Sequence, residues 1–175
     1  MSQPSIFLVG PMGSGKSAVG RQLARMLKRE FHDSDAEIEA RTGVDIPFIF
    51  EKEGEAGFRR RERQVIEELT RLSGIVLATG GGAVLDPANR AVLESRGLVV
   101  YLEASIEQQL ERTRLSSHRP LLEAADPAER LSSLMRERAP LYQSLAVLTV
   151  NTDGRMVREV AGEIRRWLAE TLRNH

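Results

Sequence analysis

The octapeptide Gly10-Pro-Met-Gly-Ser-Gly-Lys16-Ser17 sets glycines at its first and sixth places, followed by a lysine and a hydroxyl side chain. This is the spacing of a phosphate-binding loop. Gly10, Gly13 and Gly15 let the backbone turn tightly and gather its N–H groups around phosphate oxygens. A helix beginning at Lys16 turns its positive end toward the same anion. The Lys16 ammonium then suits the β- and γ-phosphates of ATP, and the Ser17 hydroxyl suits magnesium. Gly13, Ser14, Gly15, Lys16, Ser17 and Ala18 are the expected nucleotide contacts, with Lys16 also catalytic. A glycine-rich turn that binds nothing does not require Lys16-Ser17.

Further along, Phe31-His32-Asp33-Ser34-Asp35 carries two carboxylates where a second strand ends. Ligands of open parallel sheets bind beyond the carboxyl ends of the strands, so both acids are expected on the edge that holds the loop. One of the two would order the metal, directly or through water, and the other accept the proton of an attacking hydroxyl; the expectation carried forward is Asp33 for the metal and Asp35 for the proton. Alternatively, Asp35 only caps the next helix, with Glu37 and Glu39 in its first turn. His32 reads as a packed strand residue. Gly57-Phe58-Arg59-Arg60-Arg61-Glu62-Arg63 holds four arginines in five positions, and Arg60, Arg61 and Arg63 read as a solvated helix face. Arg59, with Glu62 three residues on to hold it, is either part of that face or a fixed fork for a carboxylate. A buried strand from Ile75 runs into Gly80-Gly81-Gly82, a turn that permits close approach of backbone to a ligand.

The elements that must position these groups follow from hydrophobic period. Strands are predicted at Ser5–Val9, Glu30–Asp33, Ile75–Ala78, Leu98–Leu102 and Val147–Val150. Helices are predicted at Lys16–Lys28, Phe58–Leu72, Pro87–Ser95, Ile106–Arg114, Ala128–Tyr142 and Met156–Leu172. The alternation implies crossover units: one α/β/α domain over residues 1–175 with a five-stranded parallel sheet. Two stretches break the pattern. Residues 36–57 read as short helices interrupted at Gly43, Pro47 and Gly54, within a substrate-binding insertion over about 36–60. Residues 114–127 are polar and irregular and are expected to form a mobile lid.

Composition limits the partners. The 25 basic and 25 acidic side chains cancel, so no net field favours nucleic acid or an anionic membrane. The absence of cysteine excludes disulfides and thiolate chemistry. The apolar runs are too short to span a bilayer, and no signal peptide is legible, so a cytoplasmic enzyme is expected. Its expected partner is a small molecule and its expected state a monomer, which composition does not itself decide.

Taken together these motifs resemble the shikimate kinase family along essentially the whole chain, continuing in Arg119-Pro120-Leu121-Leu122 and Arg138-Ala139-Pro140-Leu141-Tyr142. One departure is Ser17, where many members have Thr. The resemblance implies ATP-dependent phosphorylation of the 3-hydroxyl of shikimate, a step toward chorismate and the aromatic amino acids. It implies that Asp35, Arg59, Arg138 and Gly80, Gly81 and Gly82 bind shikimate, the two arginines at its carboxylate and Asp35 at its hydroxyls. It also implies that Arg119 reaches the transferring phosphoryl group, that Arg112 stacks on adenine, and that the loop at Asp153-Gly154-Arg155 flanks the base. The rivals are another small-molecule kinase of this fold, such as a gluconate kinase, and a non-catalytic nucleotide-binding regulatory module.

Overall fold

A computed structural model describes residues 3–114 and 126–175. Five strands form one parallel sheet: β1 (Ser5–Val9), β2 (Phe31–Asp33), β3 (Val76–Ala78), β4 (Gly97–Glu103) and β5 (Leu148–Asn151), in the order β2-β3-β1-β4-β5. The helices are α1 (Lys16–Leu27), α2 (Ser34–Thr42), α3 (Ile46–Leu69), α4 (Pro87–Arg96), α5 (Ile106–Thr113), α6 (Pro127–Leu145) and α7 (Val157–Arg173).

The side-chain period of a strand explains the three layers. Along β1, Ile6 and Leu8 point to one face and Phe7 and Val9 to the other, and all four are fully buried. The Ile6 face packs with Val76, Val100 and Leu102 against Val19 and Leu23 of α1 and Val160, Ile164 and Leu168 of α7. The Phe7 face packs with Leu77, Val99 and Tyr101 against Phe58, Val65 and Ile66 of α3, Leu93 of α4 and Tyr142 of α6. Helices therefore cover both faces, as crossover connections require. The chain leaves β1 toward β2 on one face and winds back toward β5 on the other, so the loop after β1 lies where the winding reverses.

The irregular stretch after β2 resolves into parts. Gly43 ends α2 in the left-handed conformation, its N–H on the Glu39 carbonyl. Pro47 does not interrupt a helix but sits in the first turn of α3, where its missing N–H costs nothing. Gly54, at φ 71° and ψ 178°, kinks α3, so the helix expected from Phe58 begins earlier, directly after that kink. Asp33, Asp45, Asp86, Ser105 and Asp126 each accept a backbone N–H at the start of a helix. Among the described residues no helix is long and apolar enough to cross a membrane.

Candidate active site

The loop from Gly10 to Ser17 turns because its three glycines adopt conformations that other residues rarely take: Gly10, Gly13 and Gly15 have φ of 148°, 75° and 90°. Gly15 then starts α1, with Lys16 and Ser17 in its first turn. The Lys16 ammonium is nearly buried and donates to the carbonyls of Gly10 (2.7 Å) and Pro11 (2.8 Å), which hold it inside the loop. Ser17 Oγ donates to Asp33 Oδ2, tying α1 to the end of β2.

The other oxygen of Asp33 accepts from the N–H groups of Asp35 (3.0 Å) and Ala36 (3.1 Å). Asp33 is thus the helix cap that sequence reasoning allowed for Asp35. Asp35 lies one residue inside α2, its carboxylate directed at Gly80. Both acids border one cleft of about 240 Å³, together with Gly13, Gly15, Lys16, Ser17, Ala18, Gly80 and Gly81. Thr79 and Arg112 complete its wall.

The acceptor end is built around the glycine triplet. A Cβ on Gly82 would stand 2.2 Å from Arg59 Nη2, one on Gly80 2.7 Å from Asp35 Oδ1, and one on Gly81 3.5 Å from Arg138 Nη1. Sequence reasoning ascribed the triplet to close approach of a ligand. In the structure Arg59 and Asp35 crowd Gly82 and Gly80, Arg138 lies at ordinary contact distance from Gly81, and none of the three glycines has positive φ. Ser34 Oγ accepts the Gly80 N–H, and the Tyr142 hydroxyl donates to the Gly81 carbonyl, which fixes the turn from two sides.

Arg59 donates to Glu62 at 2.8 Å, and Glu62 is fully buried. Burial pushes the Glu62 carboxyl above its ordinary value, against the opposing pull of Arg59 beside it. Burial works against the Arg59 charge, but Glu62 and Glu55 outweigh it and hold the guanidinium above its usual range. Arg59 is therefore a fixed, charged fork. Its neighbours Arg61 and Arg63 are exposed and paired with Glu53 and Asp86, the solvated face that was expected. Arg138 is 4% exposed on α6, close to Gly81.

Arg112 uses both ends of its guanidinium. It donates to the Gly13 carbonyl (2.9 Å), to Thr152 Oγ1 (3.0 Å) and to the Thr152 carbonyl (2.7 Å), clasping the phosphate loop to the turn after β5. Arg155 lies in that turn, on the Asn151 carbonyl and Glu163, and does not border the cleft. Arg119 lies outside the described residues, as do residues 115–125 of the expected lid. The roles of Thr79, Thr152 and the Tyr142 hydroxyl escaped sequence reasoning. Tyr142 stood inside a motif, but its partner Gly81 is 61 residues away.

Comparison with known proteins gives the family. The sequence profile of the shikimate kinase family matches residues 12–169. The shikimate kinase of Halorhodospira halophila is 60% identical over 159 residues, which cover 91% of this chain and 90% of that one. The structure of a shikimate kinase from Acinetobacter baumannii in complex with shikimate is 50% identical, with a TM-score of 0.94 and coverage of 96% of this chain and 94% of its own. A gluconokinase from Sinorhizobium meliloti covers 98% of this chain and 95% of its own at a TM-score of 0.64, but its 19% identity makes that a likeness of fold alone. On the profile and these identities, the chain belongs to the shikimate kinase family of ATP-dependent kinases.

Proposed function

We propose that the protein transfers the γ-phosphoryl group of ATP to the 3-hydroxyl of shikimate, acting as a monomer. The observation that carries this is the convergence of Arg59, Arg138 and Asp35 on Gly80–Gly82 beside the phosphate loop. Two arginine forks suit one carboxylate, and an acid suits neighbouring hydroxyls. Arg59 and Arg138 hold the acceptor, with residues 36–60 forming the wall that carries Arg59. Asp35 takes the proton of the attacking hydroxyl. Lys16 and the loop N–H groups spread the charge of the transferring group. Arg119 on the lid, about residues 114–127, adds charge at the same group. Arg112 keeps its planar face for adenine while its edges hold Gly13 and Thr152, and Arg155 flanks the base.

Magnesium fits the residues present. Ser17 and Asp33 supply one hydroxyl and one carboxylate at the mouth of the loop. Among the described residues no cluster of three or more His, Cys, Asp or Glu could hold an ion alone. That is the sparse donor set of an ion that keeps phosphate and water ligands. When bound, magnesium supplies positive charge to the phosphate oxygens.

The test is release of ADP with shikimate, with gluconate and with no acceptor. Release with shikimate alone is expected. Equal release with gluconate would point to a broader sugar-acid kinase, and none with either to a nucleotide-binding module.

A further inference from the structure

We infer that Gln109 positions Arg138 through a single water, held in a small cavity between the phosphate loop, α5 and α6. This goes one step beyond the assignment of Arg138 to the acceptor carboxylate, and rests on it. Gln109 lies on α5 and is fully buried. Its Nε2 donates to the Ala104 carbonyl at 2.9 Å. A carbonyl only accepts, so the amide has one orientation, with Oε1 turned the other way. Gln109 Oε1 has no hydrogen-bond partner among the described residues, and neither has Arg138 Nε.

Both side chains line one cavity of about 10 Å³, walled otherwise by Pro11, Met12, leucines and Met135, and by Tyr142. That is on the order of the 10–15 Å³ a single water needs. The polar groups match in sense. Arg138 Nε–H donates and Gln109 Oε1 accepts, so one water accepts from the first and donates to the second. Tyr142 gives its proton to Gly81 and meets the Arg138 guanidinium with its oxygen, so it helps to hold the same fork. A dry cavity would leave a guanidinium N–H and an amide carbonyl both desolvated and unmade, the costly arrangement that native proteins avoid.

Fixing Nε fixes the plane of the guanidinium, hence where its two Nη groups point. Arg59 is held directly by the carboxylate of Glu62. A second carboxylate on Arg138 would compete with the acceptor's own. A neutral amide acting through water orients the fork without neutralising it. Gln109 is thus a positioning residue, three positions before the Arg112 that clasps the nucleotide half of the cleft.

Two measurements test this. A high-resolution crystal structure of the unaltered enzyme should show one ordered water within about 3 Å of both Arg138 Nε and Gln109 Oε1. Gln109→Met, which keeps the volume, should raise the shikimate KM about three- to tenfold. The ATP KM and kcat should stay within about twofold. An empty cavity in clear density, or a shikimate KM unchanged by Gln109→Met, would overturn the water link. Equal rises in both KM values would also overturn it, since loss of the Ala104 bond could do that by disturbing the fold. Arg138→Ala separates the premise. If that variant leaves the shikimate KM unchanged, the carboxylate assignment itself falls, and with it the role given to Gln109.

Discussion

Asp33 divides its two oxygens between two tasks. Oδ1 caps α2, and Oδ2 holds the Ser17 hydroxyl. Replacing it by Asn keeps an acceptor for the cap and exchanges only the oxygen that serves the cation. Asp33→Asn should therefore fold normally yet need more magnesium for half-maximal turnover. Asp33→Ala should in addition lose about 0.5–2 kcal/mol of stability with the cap. Asp35→Asn removes a proton acceptor, so turnover should fall at least about a hundredfold at any magnesium concentration, with nucleotide still bound. If magnesium rescues Asp35→Asn and not Asp33→Asn, the two roles are exchanged. The pair was legible because Asp33 ends a strand and Asp35 follows it two residues on. Which of them capped the helix was not, since both are good capping types and only the backbone angles at Asp33 decide it.

The turn after β3 was legible as an element but not in its purpose. Three glycines in a row signalled close approach. What approaches was hidden, because Arg59, Asp35 and Arg138 arrive from α3, α2 and α6, and local sequence does not encode such distances. The consequence is measurable. In Gly82→Ala the new methyl would overlap the Arg59 guanidinium and push the fork off the acceptor. Losing a charge-assisted partner of a carboxylate costs about 1.5–3 kcal/mol, so the shikimate KM should rise roughly ten- to a hundredfold. The ATP KM should change little. Gly162→Ala on α7 serves as the control, since its methyl meets only the end of Arg166 at 3.6 Å and should leave both constants alone. If Gly82→Ala binds shikimate normally, the fork tolerates displacement and the account of the triplet is wrong. The α3 start was missed for a related reason. Pro47 and Gly54 both look like breaks in a string of letters, but one opens the helix and the other bends it.

Across the whole molecule, the alternation of strands and helices gave the layers and the sheet correctly, because burial on both faces leaves uninterrupted apolar runs. Tyr101 of β4 and Tyr142 of α6 join sheet to helix, with ring centroids 5.0 Å apart. They are the two tyrosines of the chain. Burial, helped by Glu103, pushes Tyr101 up to about 12, and burial raises Tyr142 further. Folding thus favours the neutral phenols. That stabilisation is complete below the unfolded value of 10 and is lost as pH rises toward 12 and beyond. Ultraviolet difference absorbance should show almost no tyrosinate in native protein at pH 10, and about half in urea-unfolded protein. Half-ionised tyrosines in the native state would contradict the packing.

Strand β1 is among the first segments of the chain, yet it lies at the centre of the sheet, with Ile6 paired to Val76 on one side and Leu98 on the other. It has no lateral partner until β3 has been made, and none on its second side until β4 has followed. Such pairings close long loops and form late. The nucleotide loop is therefore not held in place until β3 and β4 have followed it. A growing chain halted at Arg96 carries every loop residue and still should not retain ATP, whereas one extended far enough for residues 97–103 to dock should begin to. Capture by immobilised nucleotide, across stalled chains of increasing length, would reveal that step. Engagement of ATP is thereby put off until the sheet has been built on both sides of β1.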